Sequence, residues 1–293
     1  MTPFEFVEPA SLGEAIALLD PDDVSTRPVG GGTAIMLMMK FGVLVPARLV
    51  SLRRVEQRFS RIAVEKDGSL RIGALATLRS IERSSEARRV APVLADALLR
   101  LSNVRVRNVA TLGGHLAHAD PHMDLPPVLA SLGAELVVAG PAGERTLPVA
   151  DLFVGYLETV LKGNELIAEV VVPPQQDRRA AYVKCTTRSA DDWPALGIAV
   201  SLAVSGPTIR DARIVLGAAT DRPVRLAAAE AALAGREPSD ALLRAAGDAA
   251  AAIELVSDAQ GSAAYKRQLL RVYLGRAVRR ALAAGPGARE ARQ

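Results

Sequence analysis

Two glycine clusters constrain this chain more than any other feature of it. They are Val29-Gly30-Gly31-Gly32-Thr33 and Thr111-Leu112-Gly113-Gly114-His115. Successive glycines let backbone N–H groups converge on an anion with no Cβ in the way, and threonine hydroxyls add donors. One such cluster is as well explained by an ordinary turn. Two in one chain, each joined to a threonine, fit a pyrophosphate held from both sides, with plain turns as the alternative. The first cluster follows a short strand ending in Pro28-Val29 and precedes a Met-rich apolar segment, Ile35 to Lys40, a phosphate-cradle layout. Standard nucleotide fingerprints are absent. Gly30 and Gly32 begin a G-x-G, but Ile35 stands where a third glycine belongs, and no Walker lysine follows either cluster.

The 293 residues suffice for two domains or one large one, and the 49% apolar content can bury a substantial core. A formal charge of +4 with scattered arginines gives no nucleic-acid footprint. The single cysteine, Cys185, excludes an intrachain disulfide, a self-contained iron–sulfur cluster and a Cys-based zinc site. MTPFEFVEPA has neither the basic region nor the apolar run of a signal peptide, and no stretch is apolar for long enough to span a membrane. The expectation is a soluble, cytoplasmic chain.

Ser11 and Glu14 have capping-box spacing ahead of a helix carrying Leu12, Ile16 and Leu19. Residues 61–75 read as a hairpin turning at Asp67-Gly68, and 80–102 as helical. A second hairpin pairs 136–138 with 146–149, and 165–172 is a further strand closed by Pro173-Pro174. The hydrophilic segment Gln175–Arg179 marks a domain boundary. Beyond it, 182–187, 196–205 and 210–217 form a strand meander, followed by helices near 223–234, 239–255 and 262–284. The Gly/Pro/Arg/Ala tail, 285–293, reads as disordered. Strands followed by helices, without strict alternation, predict an α+β fold.

All three histidines, His115, His118 and His122, fall within eight residues. Pro121 interrupts that segment, so the i, i+4 helical face of a zinc hydrolase is not available. The reading is that no metal binds, and that the histidines take the place of other polar residues around a loop. Asp120 and Asp124 share the loop; such carboxylates are usually turn or cap residues, but beside a nucleotide they accept from ribose hydroxyls.

The run Val106-Arg107-Asn108-Val109-Ala110-Thr111-Leu112-Gly113-Gly114, followed by Ala119-Asp120-Pro121 and Asp124-Leu125-Pro126-Pro127, resembles the second FAD-binding signature of the molybdenum hydroxylase flavoproteins. That family includes the medium subunit of aerobic carbon monoxide dehydrogenase and the FAD domain of xanthine dehydrogenase. The first glycine cluster resembles the family's other FAD loop. Further matches are Arg71-Ile72-Gly73-Ala74, Asn164-Glu165-Leu166-Ile167, Tyr182-Val183-Lys184 and Arg188-Ser189-Ala190-Asp191-Asp192, so the resemblance runs in order from residue 3 to about 280.

The resemblance implies a two-part FAD-binding domain of the vanillyl-alcohol-oxidase/PCMH type over 1–176, with α/β subdomains of about 1–55 and 56–176, then a smaller sheet-plus-helices domain over 177–284. It implies that Gly30, Gly31, Gly32, Thr33, Ala34 and Ile35, with Thr111, Leu112, Gly113, Gly114 and His115, wrap the FAD pyrophosphate. Leu101 and Ile167 would pack on the cofactor, Asp124 would bind its ribityl or ribose end, and Lys184, Asp192 and Trp193 would lie near the isoalloxazine. Three positions depart from the family: His115 stands where Asn is usual, Ala34 where a polar residue is common, and Arg105 where Gln is usual.

The implied role is electron transfer. A large subunit would carry the molybdenum–molybdopterin cofactor and a small subunit two [2Fe–2S] clusters, from which electrons reach FAD on this chain and pass to quinone, NAD or oxygen. The assembly would be a dimer of heterotrimers. Two rivals are a self-contained FAD oxidase or reductase and a metal-binding module at the histidines. The first would usually show a catalytic Tyr or His in its own substrate domain, whereas the chain beyond Tyr182 has no His and two Tyr.

Overall fold

The computed structural model describes residues 2–284, so the tail assigned to 285–293 lies outside the described residues. Three short strands open the chain: β1 (Glu5–Val7), β2 (Thr26–Val29) and β3 (Arg48–Ser51), paired in parallel in the order β1-β3-β2. Parallel pairing needs crossovers, which α1 (Leu12–Ala17) and α2 (Thr33–Lys40) supply. The Ser11 hydroxyl caps α1 by accepting from the Glu14 N–H at 3.1 Å, while the Glu14 carboxylate reaches one residue past the usual capping-box partner, to the Ala10 N–H at 2.8 Å. Leu12, Ala15, Ile16 and Leu19 bury against Val50 and Phe59 in a small core of their own.

The second unit is a five-stranded antiparallel sheet of β4 (Ile62–Val64), β5 (Leu70–Gly73), β6 (Glu135–Gly140), β7 (Gly143–Pro148) and β10 (Leu166–Val172), in the order β4-β5-β10-β6-β7. A two-stranded ribbon, β8 (Phe153–Gly155) with β9 (Glu158–Thr159), precedes β10. Six helices lie between β5 and β6. The segment expected as helical over 80–102 is divided into three helices: α3 (Leu78–Arg83), α4 (Ser85–Val90) and α5 (Pro92–Leu98). Ser84 closes the first and caps the second through its hydroxyl, and Pro92, which has no N–H to donate, opens the third. The apolar periodicity survives these breaks, so Leu78, Ile81, Leu94 and Leu98 are all fully buried, each contributing about 1.5–3 kcal/mol. The glycine-rich stretch then forms α6 (Val104–Arg107), α7 (Leu112–His118) and α8 (Leu125–Leu132).

A four-stranded antiparallel sheet, β11 (Arg178–Thr186), β12 (Pro194–Ser205), β13 (Thr208–Gly217) and β14 (Val224–Arg225), begins the last unit. Helices α9 (Ala227–Leu233), α10 (Asp240–Ala250) and α11 (Ala263–Ala283) follow it. In β12 the residues Leu196, Ile198, Val200 and Leu202 join the helices' core, while Ala199 and its neighbour Tyr182 join the core of the preceding unit. The sheet is covered on both faces, by α9–α11 on one and by α8 on the other. That is why β12 reads as an almost unbroken apolar run. The start of β11 absorbs Arg178 and Arg179 from the hydrophilic segment: Arg178 pairs with Asp211 at 2.8 Å, and Arg179 donates to the Leu282 carbonyl at 2.9 Å. Among the described residues no helix is long and apolar enough to cross a membrane.

Candidate functional site

The two glycine clusters, distant in sequence, are in backbone contact. A Cβ built on Gly31 would lie 1.9 Å from the Val109 carbonyl oxygen and 2.8 Å from Ala110 Cα, and one on Gly30 would lie 2.6 Å from Thr111 Oγ1. Only glycine permits this approach. Gly113 does the same one layer deeper, where its Cβ would lie 2.7 Å from that of Ala74.

The clusters differ in what they offer a ligand. Gly32, at φ +73°, turns the chain from β2 into α2, and no side chain caps that helix. Among the described residues, the N–H groups of Gly30, Gly31 and Gly32 have no protein acceptor, and those of Thr33, Ala34 and Ile35 are the orphan donors of the first turn of α2; the first N–H of this stretch to find a partner is that of Met36, bonded to the Gly32 carbonyl at 3.0 Å. Six consecutive donors at a helix N-terminus, on half-buried residues, form an anion cradle. In the second cluster four of the five backbone donors, those of Leu112 to His115, are taken. Leu112 and Gly113 donate to the Ala76 and Ala74 carbonyls at 3.0 and 2.7 Å, His115 donates to the Thr111 carbonyl, and Gly114 to the Thr111 hydroxyl. This cluster is the wall on which the cradle rests.

Arg107, from the same motif, holds that wall. It is buried, pairs with buried Glu82 at 2.8 Å, and donates to the Leu101 and Ser102 carbonyls at 3.0 and 2.6 Å. The contacts fix the turn at Ser102, whose φ is +51°. Leu101 and Ile167 both lie in the core beneath the helices, and β10 changes register between Ile167 and Glu169.

Asp124 and Lys184 meet each other. The Asp124 carboxylate accepts from the Tyr182 hydroxyl at 2.6 Å and from Lys184 Nζ at 2.9 Å, and Lys184 also donates to the Arg100 carbonyl. Burial raises the Asp124 carboxyl above its usual range, against the pull of Lys184 and Tyr182. Tyr182 is itself pushed up, by burial first and then by Asp124. Both carboxylate oxygens are therefore engaged, and Asp124 joins α8 to β11.

The histidines have three separate environments. His115 is buried with its Nε2 unpartnered, and burial, helped by His118, lowers its pKa to about 3. Burial also lowers His118. His122 lies between Asp120 and Asp258 with its ring stacked on exposed Trp193, whose backbone N–H is held by the Asp192 carboxylate. Among the described residues no three or more His, Cys, Asp or Glu side chains are grouped to hold a metal ion. Sequence reasoning missed Glu82 and Asp258, since nothing local marks a carboxylate whose partner is remote in the chain.

The cradle, with a buried imidazole nitrogen lacking a partner in the adjoining helix, fits a dinucleotide cofactor, and the comparisons point the same way. A family described as "FAD binding domain in molybdopterin dehydrogenase" matches residues 2–175, and one described as "CO dehydrogenase flavoprotein C-terminal domain" matches 181–281. The chain is 33% identical over 281 residues to the carbon monoxide dehydrogenase medium chain of Hydrogenophaga pseudoflava, covering 95% of this chain and 96% of that one. It is 29% identical to the glyceraldehyde dehydrogenase medium chain of Sulfolobus acidocaldarius, over 92% and 95% of the two chains. A solved structure of carbon monoxide dehydrogenase from H. pseudoflava, lacking the Mo-pyranopterin moiety, superposes with a TM-score of 0.92 at 34% identity, over 97% of this chain and 99% of that one.

Proposed function

We propose a function from one premise: this chain belongs to the family of FAD-binding medium subunits of the molybdenum hydroxylases. Its family role is electron transfer within an oxidoreductase of several subunits, in which the molybdenum cofactor and the iron–sulfur clusters reside on large and small partner chains. FAD supplies the one- and two-electron redox chemistry that such a chain contributes. The protein's own residues bind and orient it. The N–H groups from Gly30 to Ile35 hold the pyrophosphate, and Thr111 with Gly113 and Gly114 form the wall behind it. Leu101 and Ile167 close the apolar side. Lys184 and Asp124 set the position of the loop at Arg100, and Asp192 and Trp193 would lie near the isoalloxazine of a bound FAD. The cradle of six unpartnered donors resting on the second glycine cluster is the observation that carries this reading.

The finer picture is a cytoplasmic dimer of heterotrimers, with a FAD domain over 1–176 and a C-terminal domain over 177–284. The family resemblance supports it.

The test has two parts. Acid release of the pigment from the co-expressed complex, followed by chromatography, gives FAD and no FMN. Anaerobic addition of CO, purines or N-heterocycles then bleaches the flavin only in the complex and not in the chain alone. Substrate-dependent bleaching by the single chain at a rate matching turnover overturns the electron-transfer role. An FMN peak overturns the cradle.

A further inference from the structure

His122 lies in the loop between α7 and α8, and its ring faces two carboxylates from different parts of the chain. Nδ1 is 3.0 Å from Asp120 Oδ1, and Nε2 is 2.9 Å from Asp258 Oδ2, in the loop before α11. A carboxylate only accepts hydrogen bonds, and a neutral imidazole has one donor and one bare lone pair. Two carboxylate contacts at these lengths therefore need both nitrogens protonated. The flat face of this cation stacks on the Trp193 indole, with centroids 5.5 Å apart and planes 10° from parallel. Trp193 is otherwise 55% exposed. The His122 ring is its stacking partner, and the Asp192 carboxylate holds its backbone N–H.

We propose that His122 is the positioning residue for Trp193: as an imidazolium bridging Asp120 and Asp258 it latches the indole over the seam between the FAD-binding and C-terminal units, and on losing a proton it releases it. The backbone on both sides of the latch is firm. Ala218 donates to the Pro121 carbonyl at 2.9 Å, which fixes the His122 loop on the C-terminal sheet. Asp258 is held by Lys266 Nζ and the Gln260 N–H, and the Thr187 hydroxyl ties the Trp193 loop to Gln260. The remaining titratable group facing the pair is His118, beside Asp120. Burial opposes the charge on His122, but the bonds to Asp120 and Asp258 outweigh it and raise the imidazole above its usual value. The latch is closed below that raised midpoint and opens as pH climbs through it. Its consequence for the flavin rests on the function proposed above; the latch itself does not.

The chain contains one tryptophan, so tryptophan emission of the full-length protein, excited selectively over its four tyrosines, reads Trp193 alone. A protonated imidazole quenches a stacked indole. Emission is expected to rise at least about two-fold in one transition with its midpoint above the ordinary histidine value of roughly 6.5, and acrylamide is expected to quench more efficiently beyond it. His122→Gln removes the transition. Asp120→Asn keeps it and moves its midpoint down, since one of the two carboxylates is lost while the Lys266–Asp258 pair is untouched. A flat titration of the unaltered protein overturns the latch, as does a transition that survives in His122→Gln or ignores Asp120→Asn. In the FAD-loaded complex, flavin emission is expected to change over the same pH interval. An indole transition in the isolated chain with no flavin response in the complex upholds the latch and overturns only the placement of Trp193 beside the isoalloxazine.

Discussion

Lys184 and Asp124 meet at 2.9 Å with side chains only 3% and 4% exposed, which makes them an ion pair buried between β11 and the start of α8. Breaking such a pair from one side is costly because it leaves the other charge without compensation. Replacing Lys184 by Met should destabilise the protein by about 3–5 kcal/mol at neutral pH. Burial already raises the Asp124 carboxyl, and without Lys184 it rises further. A carboxyl whose folded pKa lies above its unfolded value binds a proton more readily in the native state. The variant's deficit should therefore shrink as pH falls through that raised value. Urea denaturation of both proteins across the acid range measures this. A deficit independent of pH would mean that Asp124 remains charged without its partner.

The two glycine loops should respond differently to the same change. A methyl on Gly31 meets a backbone carbonyl at 1.9 Å, which cannot move without separating the loops. A methyl on Gly114 meets only the Thr111 hydroxyl at 3.0 Å, which can rotate. Gly31→Ala should weaken FAD binding by at least about tenfold, roughly 1.4 kcal/mol, while Gly114→Ala stays within about threefold, under 1 kcal/mol. Flavin content per folded chain, titrated with FAD, gives both numbers. Equal retention in the two variants would remove the asymmetry between cradle and wall.

That asymmetry marks the limit of what the residues reveal in order. The glycine spacing identifies both loops, and Thr33 and Thr111 suggest equal phosphate contacts from each. Which N–H groups stay free depends on the Ala74 and Ala76 carbonyls, from a segment with no motif of its own. The strand meander from Tyr182 onward and the helices after it are legible because their apolar periods are long. The divided helix at 78–98 is harder, since Ser84 and Pro92 interrupt the backbone without disturbing the buried face. The role of Lys184 is the plainest case. By itself it reads as a solvated lysine, and its burial follows from tertiary contact with Asp124, sixty residues away. The Asp120–His122–Asp258 bridge could not be anticipated either, because its last member belongs to a loop of the other unit.

His115 makes the acid limit of stability predictable. Its imidazole is buried, has an unpartnered Nε2, and is held down to about 3, by burial first and by His118 next. In the unfolded chain the same group titrates near its ordinary value of roughly 6.5. Between those values the unfolded state carries a proton that the native state refuses, so stability is complete above the unfolded pKa and falls as the solution is acidified. One such group contributes a slope of about 1.4 kcal/mol per pH unit across that interval. His115→Leu removes the group and the unsatisfied nitrogen together, and its stability should fall less steeply by about that slope. His118, also lowered by burial, supplies an acid dependence that remains in the variant. Urea midpoints of both apo-proteins, taken at half-unit steps from pH 7 to 4, compare the slopes directly. Parallel curves would show that His115 takes up a proton in the folded protein, through an opening of α7 or a buried acceptor. A flavin titration of the same variant adds an independent reading. If Nε2 finds its partner in the cofactor, His115→Leu loses FAD affinity while gaining stability in its absence, and a variant that gained stability with FAD affinity unchanged would place that nitrogen outside the site.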